Sequence, residues 1–250
     1  RTFCSKRKMK TYGLIGRSLG HSFSKSFFEY YFHENAISAS YENYELNSID
    51  EVVDLFQKDI SGFNVTIPYK EAIIPFLDEL SDEAKAIGAV NVVQMSNGKK
   101  IGHNTDAFGF HQSIKPFLTN RHERAIIFGT GGASKAVEYV LKNIGVDVIF
   151  ISRTPEGSNQ FHYNEVNHHM LEACKLLVNT TPVGTFPNVN DFLDIPYSFL
   201  SHEHLAVDLI YNPEKTKFLE YAESEGAMIL NGKSMLREQA LKSWKIWSEE

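Results

Sequence analysis

The regular alternation of short apolar strands with helices between residues 125 and 230 constrains the fold of this 250-residue chain more than any other feature. Strands are predicted at 125–129, 147–152, 176–180, 205–209 and 227–230. Each is short and continuously apolar, which is typical of a parallel sheet covered by helices on both faces. This half of the chain is therefore predicted to form a Rossmann-type α/β domain.

A glycine-rich loop follows the first of these strands and opens a helix predicted over 133–144. Its sequence is Gly129-Thr130-Gly131-Gly132-Ala133, with Ser134 at the third glycine position of the usual fingerprint. Gly129 permits a tight turn, and Gly131 lets the backbone approach a pyrophosphate held by amides at the start of the helix. The strand before the loop and the helix after it favour a dinucleotide site.

The second strand ends in Ser152, Arg153 and Thr154, which indicates the type of dinucleotide. An NAD enzyme usually places an acidic residue at this position to hold the ribose 2′-hydroxyl. A guanidinium flanked by two hydroxyls instead suits a 2′-phosphate. The predicted cofactor is NADP, and the alternative interpretation of Arg153 is a solvated charge at a strand end.

The first hundred residues are predicted to form a mixed α/β unit. Strands are expected at 11–16, 41–46, 63–67, 90–95 and 99–102, the last two joined by a hairpin turn at Asn97-Gly98. Ser24 or Ser26 is expected to cap a helix that runs to about residue 35, with Ser26 and Glu29 at capping-box spacing. A further helix is predicted over 71–80.

Three polar, turn-rich runs in this half do not have the composition of core segments. They are Gly62–Lys70, Gly88–Asn91 and Gly102–Asp106. Taken singly, their polar residues have ordinary explanations as caps, turn residues and exposed charges. Taken together, ahead of a dinucleotide loop, they supply donors and acceptors for a polyhydroxylated, anionic small molecule. Lys70 and Asp106 can also transfer a proton. A polar substrate site together with a dinucleotide loop suggests a dehydrogenase.

Composition argues against several other classes of protein. The net charge of −6 disfavours nucleic acid as a partner, and no apolar run approaches the roughly 20 residues that span a bilayer. Cys4 and Cys174 are expected to be reduced thiols, and no metal site is predicted. The basic segment 1–8 lacks the apolar core of a secretory signal, so Met9 is the expected natural start and the cytoplasm the expected location.

Motifs along the chain together resemble the shikimate dehydrogenases of the shikimate/quinate dehydrogenase family. In the first half they are His21-Ser22-Phe23-Ser24 and the three polar runs. In the second half they are Gly129–Ala136, Ser152–Thr154, Asn179–Gly184, Asp208–Pro213 and Met235–Gln239. The resemblance extends from Met9 to the C-terminus. It implies a substrate-binding catalytic domain over 9–104, rejoined by 233–250, and an NADP-binding Rossmann domain over 105–232.

Residue roles follow from the resemblance where the motifs are intact. It implies Lys70 and Asp106 as the catalytic pair. The implied substrate-binding residues are Ser22, Ser24, Thr66, Lys70, Asn91, Asp106, Tyr211 and Gln239. The implied cofactor-binding residues are Gly129, Thr130, Gly131, Gly132, Ala133, Ser152, Arg153, Thr154, Thr180, Pro182, Val183 and Gly232. The chain departs from the family pattern at Lys25, where proline is usual, at Ser152, where asparagine is usual, and at Lys233-Ser234.

The implied activity is the reversible, NADP-dependent reduction of 3-dehydroshikimate to shikimate, by a monomer or homodimer, in the synthesis of aromatic amino acids. Two alternatives remain open: an NAD-dependent quinate/shikimate dehydrogenase and a catalytically silent NADP-binding sensor. Comparing activity with NADP and with NAD distinguishes the first alternative from the implied activity. Retention of both Lys70 and Asp106 argues against the sensor.

Overall fold

A computed structural model describes residues 9–20 and 22–249, which form two compact units. The first unit takes its described residues from Arg1–Thr105 and Ala240–Glu250, and the second spans Asp106–Gln239. Each unit contains a six-stranded sheet among its described residues. The predicted α/β class with two domains is confirmed, and the end of the final helix belongs to the first unit, as predicted.

The sheet of the first unit is mixed. Its strands are β1 (Lys10–Gly16), β2 (Ala39–Glu45), β3 (Gly62–Val65), β4 (Glu79–Leu80), β5 (Val92–Ser96) and β6 (Lys99–His103). Their order is β2-β1-β3-β5-β6-β4, with β1 parallel to both of its neighbours and β5 antiparallel to both of its own. Asn97 and Gly98 both have positive φ, as the predicted hairpin turn between β5 and β6 requires.

Hydrophobic side chains pack on this sheet in two clusters. The helices of the unit are α1 (Phe23–Glu34), α2 (Val52–Phe56), α3 (Asp82–Ile87) and the later part of α8 (Lys233–Ser248), with 3₁₀ turns at Ile49–Glu51 and Ile74–Phe76. One cluster contains Ile15, Phe63 and Val93. The other joins Phe28 of α1 and Trp247 of α8, so the chain end completes a core begun by the first strand.

Two local predictions for this unit are wrong. The helix predicted over 71–80 is replaced by turns, a 3₁₀ turn at Ile74–Phe76 and strand β4, because Pro75 cannot donate the backbone hydrogen bond of a helix interior. The N-cap of α1 is Ser22, without a side-chain cap bond, rather than Ser24 or Ser26. Ser26 lies inside the helix, and its hydroxyl donates to the carbonyl oxygen of Phe23.

The sheet of the second unit is parallel at each described strand pair. Its strands are β7 (Arg124–Phe128), β8 (Asp147–Ser152), β9 (Gln160–His162), β10 (Leu176–Asn179), β11 (Leu205–Asp208) and β12 (Met228–Leu230). Their order is β12-β11-β10-β7-β8-β9, and the short edge strand β9 was not predicted. The carboxyl ends of the central strands therefore meet at one edge of the sheet, where ligands bind in open α/β sheets.

Helices flank this second sheet. They are α4 (Asp106–Ile114), α5 (Gly132–Asn143), α6 (His168–Ala173), α7 (Lys217–Ser224) and the first part of α8, with 3₁₀ turns at Lys115–Phe117, Tyr163–Glu165 and Tyr197–Phe199. The core includes Ile126, Phe128, Leu177 and Phe218. Within the described residues, no helix combines the length and apolarity needed to cross a bilayer.

Candidate active site

The glycine loop lies at the carboxyl end of β7, in the centre of the second sheet. Gly129 has φ of 100°, a conformation that strains any residue with a Cβ atom. A Cβ at Gly129 would also lie 2.9 Å from Oγ1 of Thr180. The amide of Gly129 donates to the carbonyl oxygen of Ile151 at 2.9 Å, which fixes the turn against β8. The tight turn predicted at Gly129 is therefore present.

Gly131 is the N-cap of α5, and no side chain caps this helix start. A Cβ atom added at Gly131 would find no heavy atom within 4 Å, so the backbone borders open space. Ser134 stands at the third glycine position of the fingerprint, and its hydroxyl donates to the Gly131 carbonyl oxygen at 2.6 Å. The amide groups at the start of α5 are thus accessible to an anion such as a pyrophosphate, and the residues present fit a dinucleotide.

The adjacent strand β8 ends beside this loop with the three predicted 2′-phosphate residues. The Ser152 hydroxyl accepts from the Thr154 amide at 3.2 Å, which orders the backbone around Arg153. Arg153 itself is exposed. Tyr163 follows β9, and burial raises its pKa while the positive charge of Arg153 acts in the opposite direction. A cationic group therefore stands at the strand end where the sequence predicts phosphate recognition.

Asn179 at the end of β10 organises the loop Asn179–Gly184. Its Oδ1 accepts from the amide and the hydroxyl of Thr181, at 2.9 and 2.6 Å. The Thr180 hydroxyl donates to the Phe128 carbonyl oxygen at 2.6 Å, so the loop is tied to the strand that carries the glycine loop. Pro182 is exposed and Val183 half-buried at its tip.

Asp208 at the end of β11 is buried and accepts three hydrogen bonds. Its Oδ1 accepts from Asn179 Nδ2 at 3.1 Å and from the Ile210 amide at 3.0 Å, and its Oδ2 accepts from the Thr216 hydroxyl at 2.6 Å. Burial raises the pKa of Asp208 to about 6, although these three hydrogen bonds act to lower it. The carboxyl group links the loops that follow two neighbouring strands.

Gly232 and Tyr211 belong to the same edge of the second unit. The Gly232 amide donates to the Ile210 carbonyl oxygen at 3.0 Å, and a Cβ atom at Gly232 would overlap the Leu209 carbonyl. Close backbone packing therefore accounts for glycine at this position, and its predicted contact with the cofactor stays a prediction. Tyr211 is half-buried one residue after Ile210.

The three polar runs of the first unit are joined to one another by hydrogen bonds. The Val90 amide donates to the Lys70 carbonyl oxygen at 2.7 Å, and the Val65 amide donates to the Asn91 carbonyl oxygen at 2.9 Å. Asn91 Oδ1 accepts from the Thr105 amide at 2.6 Å. The structure thus brings together the ends of the runs that carry Lys70 and Asn91.

Ser22 is the N-cap of α1, and Thr66 directly follows β3. The Thr66 amide donates to the Ile15 carbonyl oxygen at 2.8 Å, which places Thr66 beside the carboxyl end of β1. The Ser22 hydroxyl oxygen is buried and has no hydrogen-bond partner among the described residues. A buried hydroxyl in this state costs free energy unless another molecule satisfies it.

Asp106 and Gln239 are buried in the second unit, where α4 packs on α8. A Cβ atom at Gly109, one turn after Asp106, would lie 2.6 Å from the Met235 carbonyl oxygen and 3.0 Å from Cβ of Gln239. The absence of a side chain at Gly109 therefore lets the two helices approach. Gln239 Nε2 donates to the Leu236 carbonyl oxygen at 3.0 Å.

Several buried polar residues near the candidate site were not among the site residues predicted from the sequence. They are Tyr41, Asn64, Thr216 and Ser243. A polar residue on an otherwise apolar helix face is a weak signal, and Ser243 four residues after Gln239 fits it. Within the described residues one group, His168 with His169 and Glu172, has ligand atoms close enough for a metal; all three residues are exposed on α6.

Comparisons with known proteins agree with this arrangement. Residues 14–93 match the family described as the shikimate dehydrogenase substrate binding domain. An NADP(+)-dependent shikimate dehydrogenase of Pyrococcus abyssi is 34% identical over 248 residues, which cover 96% of this chain and 92% of that protein.

Solved structures give the same result for the fold. A shikimate dehydrogenase crystallised with NADP+ has a TM-score of 0.87 and 30% identity, covering 97% of this chain and 91% of that one. The enzyme of Thermus thermophilus, in complex with NADP(H) and shikimate, has a TM-score of 0.85 and 30% identity, covering 97% of this chain and 94% of that one. Nearly the whole chain takes part in these similarities, and the chain belongs to the shikimate dehydrogenase family.

Proposed function

We propose that this chain catalyses the reversible reduction of 3-dehydroshikimate to shikimate with NADPH. The observation that carries the proposal is the junction of the three polar runs, which hydrogen-bond to one another at Lys70, Asn91 and Thr105, in a member of this family. The Gly129–Gly132 loop, with its open space at Gly131, supports a dinucleotide as the second substrate.

Lys70 and Asp106 are the proposed catalytic residues. Bound NADPH supplies the hydride that reduces the ring carbonyl. Lys70 donates a proton to the developing alkoxide, and Asp106 orients Lys70 and completes the proton relay. General acid catalysis of this kind contributes about 10²–10⁴-fold to the rate.

The remaining polar residues are proposed to bind the substrate's hydroxyls and carboxylate. This set is Ser22, Ser24, Thr66, Asn91, Tyr211 and Gln239. The buried hydroxyl of Ser22, which has no hydrogen-bond partner in the described part of the chain, supports the assignment, because a substrate hydroxyl would satisfy it.

The proposed dinucleotide site uses the edge of the second sheet. Amides of Gly131, Gly132 and Ala133 would hold the pyrophosphate at the start of α5. Arg153, with Ser152 and Thr154, would hold the 2′-phosphate. Thr180, Pro182 and Val183 would border the nicotinamide. We also propose a cytoplasmic location and a monomeric or homodimeric enzyme. Gel filtration at assay concentration tests the oligomeric state.

A matrix of four assays tests this function against its alternatives. Shikimate and quinate are each combined with NADP and with NAD, and reduced cofactor is followed by absorbance. Shikimate with NADP is expected to give the highest kcat/KM. Preference for quinate with NAD would establish the alternative dehydrogenase, and binding of NADP without turnover of either substrate would establish the sensor.

Replacement of the proposed proton donor tests the mechanism. Lys70→Ala is expected to lower kcat by about 10²–10⁴-fold, because no other group supplies the proton efficiently. Steady-state kinetics measures the loss, and titration with NADPH is expected to show affinity within about twofold of the wild-type value, since Lys70 is assigned to the substrate. Lys85→Ala removes an exposed lysine as the control. Near-normal turnover of Lys70→Ala would rule out the assignment.

A further inference from the structure

A continuous chain of buried hydrogen bonds crosses the first unit. The Tyr41 hydroxyl donates to Asn64 Oδ1 at 2.7 Å, and Asn64 Nδ2 donates to Ser243 Oγ at 3.1 Å. Ser243 Oγ lies 3.2 Å from Thr105 Oγ1, which accepts from Asn91 Nδ2 at 2.9 Å. All five side chains are at most 4% exposed. We call these five residues the buried relay.

The two ends of the buried relay meet residues assigned to the substrate. At one end, burial raises the pKa of Tyr41 and a side-chain interaction with Ser24 acts to lower it, which places Ser24 beside the Tyr41 hydroxyl. Asn91 is itself the other end. The relay therefore links two proposed substrate-binding side chains, Ser24 and Asn91, through other residues of the protein. Its own members come from elements as distant in sequence as β2 and α8.

Each member of the relay has its orientation determined by its neighbours. The Asn64 amide accepts from Tyr41 through oxygen, and it donates through nitrogen to Ser243 and to the Asn91 carbonyl oxygen, the latter at 3.3 Å. An amide rotated by 180° would lose these bonds. A buried polar group without a hydrogen-bond partner costs free energy, so the loss of one bond in the relay would destabilise the orientation of the other members.

Packing holds the Tyr41 end of the relay in place. The Tyr41 ring stacks on Phe28 of α1 with ring centroids 4.7 Å apart. Ser24 lies one turn before Phe28 on the same helix. The helix that carries Ser24 is thus located by an aromatic contact, and the Ser24 side chain by the Tyr41 hydroxyl.

We propose that Tyr41 and Ser243 are positioning residues of the shikimate site, whose hydroxyls act through Asn64 and Thr105 to hold Ser24 and Asn91 in the orientation that binds the substrate. This inference rests on the proposed function. It assigns no chemical step to either residue, so the effect of their loss falls on substrate affinity rather than on hydride transfer.

Two variants that each remove one hydroxyl test the inference. Tyr41→Phe keeps the stacked ring and Ser243→Ala keeps the helix. Each is expected to raise KM for shikimate by about 5- to 20-fold, while kcat and KM for NADP stay within about twofold. Because both hydroxyls belong to one relay, the double variant is expected to raise KM by less than the product of the single effects.

Matched controls separate positioning from general destabilisation. Ser113→Ala removes a buried helix hydroxyl that donates to the Phe110 carbonyl oxygen. Tyr197→Phe removes the hydroxyl of a half-buried tyrosine, which donates to the Leu193 carbonyl oxygen. Both lie outside the relay and are expected to leave KM for shikimate unchanged. Circular dichroism verifies folding, and if Ser243→Ala does not fold, Tyr41→Phe decides alone.

The possible outcomes distinguish this inference from the proposed function. Unchanged KM for shikimate in folded variants of an active wild type would overturn the positioning role alone. Parallel increases in both KM values would also overturn it. A wild-type protein that neither binds nor oxidises shikimate, by calorimetry and by assay, would overturn both.

Discussion

At the scale of single residues, three glycines of the second unit serve different purposes. Gly129 is required by its positive φ, and Gly232 by its contact with the Leu209 carbonyl. Gly131 has neither constraint, since its φ is −84° and open space surrounds it. Its lack of a side chain matters only for a molecule that approaches the backbone from that space.

Gly131→Ala should therefore separate cofactor binding from folding. The unfolding free energy is expected to change by less than about 1 kcal/mol, the difference between residues at an N-cap. Affinity for NADP is expected to fall roughly tenfold, because the new methyl group occupies the space of the pyrophosphate. Urea unfolding and NADP titration measure the two quantities. Gly129→Ala, as the contrasting variant, should lose stability as well.

Arg153 is the residue proposed to select NADP over NAD. Arg153→Ala is expected to raise KM for NADP by about 10- to 100-fold, the loss of a charge-assisted phosphate contact, and to leave KM for NAD within about twofold. Kinetics with both cofactors checks this. Equal effects on NADP and NAD would place the 2′-phosphate elsewhere.

At the scale of elements, the ends of β10 and β11 are joined by side chains. Asn179 and Asp208 share a hydrogen bond of 3.1 Å, and Thr216 at the start of α7 donates to the same carboxyl group. The loops after both strands are thereby ordered together. This cross-strand link depends on the parallel register that places Asn179 beside Asp208.

Asp208→Asn is expected to change how stability depends on pH. The folded pKa of Asp208, about 6, exceeds the ordinary value of 3.8, so the stability contributed by its protonated form is present below pH 3.8 and lost as pH rises through 6. The asparagine has no such loss; its oxygen can accept from Asn179 and Ile210, and its nitrogen can donate to the Thr216 hydroxyl oxygen. The variant should therefore gain stability relative to the wild type between pH 4 and 7, by up to about 3 kcal/mol.

Urea unfolding at a series of pH values measures this difference. The exposed Asp194→Asn serves as the control and is expected to show no such trend. A difference between Asp208→Asn and the wild type that stays constant from pH 4 to 7 would contradict the raised pKa.

At the scale of the whole molecule, the last residues of the chain complete the core of the first unit. Trp247 is 4% exposed, its indole Nε1 donates to the Val93 carbonyl oxygen at 3.1 Å, and its ring stacks on Tyr12 with centroids 4.8 Å apart. The Tyr12 contact joins residues more than 200 positions apart. The first unit is therefore closed only when the end of the chain is in place.

Trp247→Ala is expected to lower the unfolding free energy by about 3–5 kcal/mol, the cost of a large cavity together with a lost hydrogen bond. Trp244→Phe, which keeps a ring at a half-buried position of the same helix, should cost much less. Chemical unfolding followed by circular dichroism compares the two. Similar costs would show that Trp247 does not close the core.

Features that depend on neighbouring residues alone were predictable from the sequence. The turn at Gly129 follows from the conformational freedom of glycine, and the hairpin at Asn97-Gly98 follows from its preference for positive φ. Their confirmation in the structure needed no knowledge of distant contacts. The helix predicted over 71–80 is absent because Pro75 interrupts the backbone hydrogen bonds that a helix interior needs.

The sequence by itself determined the α/β class, the glycine loop and the polar runs, because strand length, hydrophobic period and turn chemistry are local properties. Only the tertiary structure decided which polar groups meet. Asn64 and Ser243 are 179 positions apart and bond inside a core, and Asp208 gains its raised pKa from burial by distant elements. Such contacts depend on how sheets and helices pack, which no local pattern records.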